Sequence, residues 1–131
     1  MKTDGPYKVG VRRIKITEKQ LEAAVFYPVD QSTTGERDLW WQNPEKTIKG
    51  MQDVFAPMFG IPFFPDFLLR PNTIVKTHAL VAVEICERFS NGKNPLRPII
   101  FSHGLGAHLN FYTATYHALA AHGYLVIALN H

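Results

Sequence analysis

Cysteine is nearly absent: Cys86 stands alone in 131 residues, which excludes a disulfide scaffold. Nor does the sequence need one, because a chain of this length buries roughly two thirds of its unfolded surface and can build its own core. Like-charge runs are missing too. The 14 basic and 11 acidic side chains are mixed, with a net charge of +3, so no basic stripe suggests nucleic acid. No stretch offers 18 consecutive apolar residues for a membrane span, and the first residues lack the apolar core of a secretory leader. The chain thus reads as cytoplasmic, or as secreted if a leader precedes it. With 46% hydrophobic and 12% aromatic residues, disorder is excluded.

The most informative absence is local. All 25 charged side chains lie in residues 1–97, and none follows Pro98. A segment without charge has no evident solvent-facing stripe, which predicts the central, doubly covered part of an α/β fold. Within it, residues 98–102 read as a short apolar strand that ends at the glycine-punctuated loop His103, Gly104, Leu105, Gly106. Asn110 is a candidate helix cap. Residues 111–121 predict a helix buried over most of its circumference, and Gly123 fits the position just past its end. Residues 124–129 are a second continuous apolar strand. Together they predict a parallel βαβ unit.

Upstream, residues 9–16 and 22–27, the latter closed by Pro28, predict an antiparallel hairpin. Residues 28–50 look loop-like, with an element near Leu39, Trp40 and Trp41, and Pro44 opens a helix reaching Met58. Residues 54–69 carry five Phe and three Pro, too proline-broken for a regular helix. They read either as a buried loop or as an exposed apolar patch touching a lipid surface or partner. A parallel strand ending at residue 129 needs more neighbours than these, so residues 1–131 are expected to be the front part of a larger α/β domain.

Three serines are present, Ser32, Ser90 and Ser102, none in the G-x-S-x-G elbow that exposes a nucleophile. Ser102 and His103 are neighbours at a strand end, so alternation should aim them apart. Five of the six histidines lie in the charge-free region, without the spacing or carboxylates of a zinc site. They read as capping or hydrogen-bonded histidines, and neither metal nor cofactor is expected. Cys86, between two glutamates, reads as structural. The His103 to Gly106 loop has two readings. It is a plain strand-to-helix connection, or it turns the Leu105 N–H past the strand end as a donor for a developing oxyanion.

Pro98 to Ala107, with Tyr112 and Leu119 to Val126, resembles the platelet-activating factor acetylhydrolase family. So do the opening Gly5, Pro6, Tyr7, Val9 and Gly10, and the pairs Tyr27 with Pro28 and Leu39 with Trp40. The resemblance implies an α/β-hydrolase fold. It also implies a calcium-independent serine esterase that releases acetate or short acyl groups from the sn-2 position of phospholipids. It carries the oxyanion role to the Leu105 N–H, supported by His103, Gly104 and Gly106. Residues 54–69 become the counterpart of the family's lipid-facing segment, through Phe59, Ile61, Phe63, Phe64, Phe67 and Leu68. The family's Ser, Asp and His follow residue 131, so these residues alone are expected to be inactive. Asn130 replaces a family glutamate just before His131, whose own role stays open. The rival readings are a general α/β carboxylesterase of the dienelactone hydrolase kind and a noncatalytic lipid-surface module.

Overall fold

The computed structural model describes residues 5–16, 18, 21–105 and 107–131. It carries six strands: β1 (Lys8–Ile16), β2 (Leu21–Val29), β3 (Arg37–Leu39), β4 (Lys76–Val81), β5 (Arg97–Ser102) and β6 (Tyr124–Asn130). Three α-helices accompany them: α1 (Pro44–Phe59), α2 (Glu87–Ser90) and α3 (Thr113–Ala121). The strands form one open mixed sheet in the order β3-β4-β1-β2-β6-β5. The chain divides into two compact units, one of the described residues up to Asp38 with His78–His131, the other Leu39–Thr77.

The first unit is built on the predicted hairpin. β1 and β2 pair antiparallel from Lys8↔Val29 to Ile16↔Leu21, and β2 pairs antiparallel with β6 from Glu22↔Asn130 to Phe26↔Val126. β2 runs two residues beyond its expected end, through Pro28. There β6 no longer accompanies it and Pro28 O accepts from the Cys86 N–H at 3.0 Å, so no β6 ladder calls on the N–H that proline lacks. Alternation sends Val9 and Val11, Ala24 and Phe26, and Val126 and Ala128 to one face, where they bury against Tyr116, Ala120 and Ala121 of α3. On the opposite face the Tyr27 hydroxyl donates to the Val83 carbonyl at 2.7 Å.

The βαβ unit is present. β5 and β6 are parallel neighbours from Arg97↔Tyr124 to Ser102↔Leu129, with α3 as their crossover. Gly123 follows α3 at φ 95°, a left-handed conformation that favours glycine. Among the described residues β5 is the outer strand of the sheet, with Ile100 70% exposed. Two expectations need correction. α3 buries one face only, with Ala114, Thr115 and Ala118 in solvent, since an alanine-rich helix carries no charge to mark its wet side. Asn110 does not cap α3; it is buried in a 3-10 turn (Leu109–Tyr112), and its carbonyl accepts from the Thr113 hydroxyl at 2.7 Å.

The second unit closes its own small core of Trp41, Ile48, Met51 and Leu69, with Trp40, Phe55 and Phe64 packed against it. α1 starts at Pro44 as expected but runs through Pro57 to Phe59. Residues 54–59 are therefore helical. Pro57 sits in the last turn, where its missing N–H leaves a single carbonyl unpaired beside a helix end.

Candidate functional site

Parallel pairing brings the C-terminal ends of β5 and β6 to one edge of the sheet, where the residues after each strand meet. Ser102 is level with Leu129, and His131 follows β6 just past its last residue, Asn130. The Ser102 Oγ stands 2.9 Å from His131 Nε2. His131 Nδ1 is 3.2 Å from His103 Nε2, and the two rings meet edge to face at 4.3 Å between centroids. His103 Nδ1 is 3.2 Å from its neighbour's carbonyl, Gly104 O.

Beyond them the chain turns. The Ala107 N–H donates to Gly104 O at 3.1 Å, closing a four-residue turn with Leu105 at its second position. A hydrogen bond of that type leaves the second residue's N–H unused. Among the described residues nothing accepts from the Leu105 N–H, and the Leu105 side chain is fully exposed. His108 then accepts from the Asn110 N–H at 3.3 Å, capping the 3-10 turn. Burial, and secondly the nearness of His103, hold the His108 pKa below its ordinary value. An unbonded N–H at the carboxyl end of a parallel strand is a donor suited to a negatively charged oxygen.

The sequence singled out His103, Gly104 and Leu105, and the structure places Gly104 and Leu105 in this turn with His103 directly before it; Gly106 lies outside the described residues. Gly104 does not adopt a positive φ, and a Cβ there would meet no atom within 4 Å. The backbone therefore does not require glycine at 104; the residue leaves space above the turn. The expectation that Ser102 and His103 point apart fails in its premise. His103 lies past the last strand residue, where alternation lapses, and both side chains converge on His131. They bond through it and not to each other. The partnership of Ser102 with His131 escaped sequence reasoning, although it follows from placing two parallel strand ends side by side.

The apolar segment is mostly open. Phe59, Ile61, Phe63, Phe67 and Leu68 are exposed, whereas Phe64 turns inward to the second core, stacked on Phe59 and tilted against Phe55. Cys86 is buried, and its Sγ donates to Asp30 Oδ1 at 3.0 Å. Burial, then Asp30, push its pKa up, and the flanking glutamates are not the cause. Among the described residues no three His, Cys, Asp or Glu side chains converge to hold a metal ion, and no described helix is long and apolar enough to cross a membrane.

The family described as platelet-activating factor acetylhydrolase, isoform II, matches residues 1–131. No curated protein matches the chain. Among solved structures, a ferulic acid esterase from Streptomyces cinnamoneus superposes with a TM-score of 0.61 at 18% identity, over 98% of this chain and 34% of the esterase. The chain thus shares the fold of this part of that esterase, and it spans about a third of that protein's length.

Proposed function

Since the chain belongs to the platelet-activating factor acetylhydrolase family, we propose that it is part of a serine esterase hydrolysing acetyl or short acyl esters at the sn-2 position of phospholipids. The observation that carries this reading is the family match over all of residues 1–131. The Leu105 N–H is the group through which these residues would take part in the chemistry. Attack on an ester carbonyl turns its oxygen into an oxyanion, and a fixed backbone donor lowers that barrier without reorganising at the moment of reaction. The space left by Gly104 gives the acyl group room to approach.

No serine here stands on a strained strand-to-helix turn: Ser32 lies in a loop, Ser90 ends α2 and Ser102 belongs to the β5 ladder. We therefore place the nucleophile and its base outside these residues and expect the 131 residues by themselves to hydrolyse little. Phe59, Ile61, Phe63, Phe67 and Leu68 are proposed to touch the lipid surface from which the substrate is drawn. A general carboxylesterase is the second reading, favoured by the fold shared with the ferulic acid esterase.

In the catalytically active gene product, Leu105→Pro deletes the N–H while Leu105→Ala keeps it. The proline variant is expected to lose roughly 100- to 1000-fold in kcat and the alanine variant little. Equal losses in both would remove Leu105 from the oxyanion site. Faster turnover of simple esters than of sn-2 acetyl phospholipid would favour the general carboxylesterase.

A further inference from the structure

The polarity of the contacts among Ser102, His131, His103 and Gly104 is determined by elimination. Gly104 O is a carbonyl and only accepts, so His103 Nδ1 carries the proton of that 3.2 Å contact. In a neutral imidazole the other nitrogen then has a lone pair, and His103 Nε2 accepts. His131 Nδ1 must donate across its 3.2 Å contact, which leaves His131 Nε2 as the acceptor of the Ser102 hydroxyl at 2.9 Å. A single direction survives: Ser102 O–H to His131, His131 Nδ1–H to His103, His103 Nδ1–H to Gly104 O.

We infer that this chain is a positioning device, in which Ser102, His131 and His103 tether the Gly104–Ala107 turn to the ends of both parallel strands and hold the Leu105 N–H in place. Its purpose rests on the esterase reading above, while its geometry does not. Gly104 O receives two donors, the His103 ring and the Ala107 N–H, so the carbonyl that closes the turn is the one the relay grips. On the side where a Cβ would stand, Gly104 meets no atom within 4 Å, so no packing holds the turn from there. The His131 end of the relay extends from β6, so this link spans two strands through side chains alone. The order of serine, imidazole and acceptor has the polarity of a nucleophile, base and orienter. What separates it from one is placement. Ser102 lies in an unstrained strand, paired in register with Leu129, and its hydroxyl is turned along the sheet edge into the relay. Ser102, His103 and His131 are therefore positioning residues.

The test reads tautomers in the 15N-labelled chain at about pH 8, where ordinary imidazoles are neutral. Long-range proton–nitrogen correlation is expected to show His103 and His131 both in the Nδ1–H form. Ser102→Ala is expected to leave His131 in mixed tautomers and to speed Ala107 amide exchange roughly fivefold, the equivalent of one net hydrogen bond. Ser102→Thr, which keeps the hydroxyl, is expected to restore both. An Nε2–H form at either histidine in the unsubstituted chain would overturn the proposal without any variant having to fold. So would Ala107 exchange unchanged in Ser102→Ala, or covalent labelling of Ser102 by a fluorophosphonate, which would make it a nucleophile. Failure of the gene product to hydrolyse esters would refute the functional reading and leave the tautomer result standing.

Discussion

His117 carries its imidazole into the first core from the inner face of α3, with its ring 5.6 Å from that of Phe26. It is 5% exposed, and Nε2 is buried with no hydrogen-bond partner among the described residues. Burial, with a smaller contribution from His78, pushes its pKa down from 6.5 to about 4. The sign follows directly: the unfolded chain takes up a proton between these values and the folded chain does not, so stability falls as pH drops from about 6.5 to about 4. The loss is on the order of 3 kcal/mol at most. Urea titrations across that window should show the slope, and His117→Leu should flatten it. Gly10 makes a second residue-scale case. A Cβ there would lie 2.5 Å from Tyr27 Cε2 and 2.7 Å from Val29 Cγ2, so Gly10→Ala is expected to cost about 1–3 kcal/mol in the same titrations. At this scale the sequence was partly legible. Leu105 could be singled out from two glycines beside a buried strand, whereas the hydrogen-bonding of Ser102 depends on a residue 29 positions away.

Among the elements, residues 54–69 separate what pattern can and cannot show. Five phenylalanines and three prolines announce an apolar segment, yet they do not tell which rings point inward. The structure divides them: Phe64 belongs to the core with Trp41 and Ile48, while Phe63 and Phe67 are each 66% exposed. The charges that decide a lipid-contact test are then Phe63→Asp with Phe67→Asp. This pair is expected to abolish co-sedimentation with phosphatidylcholine vesicles while leaving the melting temperature nearly unchanged. Phe64→Asp should instead unfold the second unit, because it buries a charge among aromatics. Binding that persists in the double variant would remove these residues from the lipid contact. The hairpin and the βαβ unit were legible because periodicity 2, glycine and proline mark them directly. The wet face of α3 was not, because alanine and threonine suit either environment.

For the whole molecule, the charge-free stretch after Pro98 predicts the centre of a larger fold, and among the described residues β5 is the outer strand of the sheet. Charge absence reports that a surface is meant to be covered, without saying by what. Ile100 marks the consequence, an apolar side chain 70% exposed on a strand whose outer edge is unpaired among the described residues. The purified chain is expected to self-associate with rising concentration in sedimentation, and Ile100→Lys to suppress it. Monomeric behaviour at high concentration in the unsubstituted chain would contradict this.

The pairing of β2 with β6 also governs time. Glu22 finds its partner in Asn130, and Phe26 finds Val126, so the middle of the sheet joins strands separated by about a hundred residues of chain. During synthesis the β1–β2 hairpin emerges early, with Ala24 and Phe26 facing water, and must wait for about a hundred further residues before α3 and β6 have arrived to cover them. Such long loop closures make folding slow and leave apolar edges open meanwhile. A stall or premature stop anywhere between β2 and β6 would therefore release a hairpin that has no way to bury its own inner face.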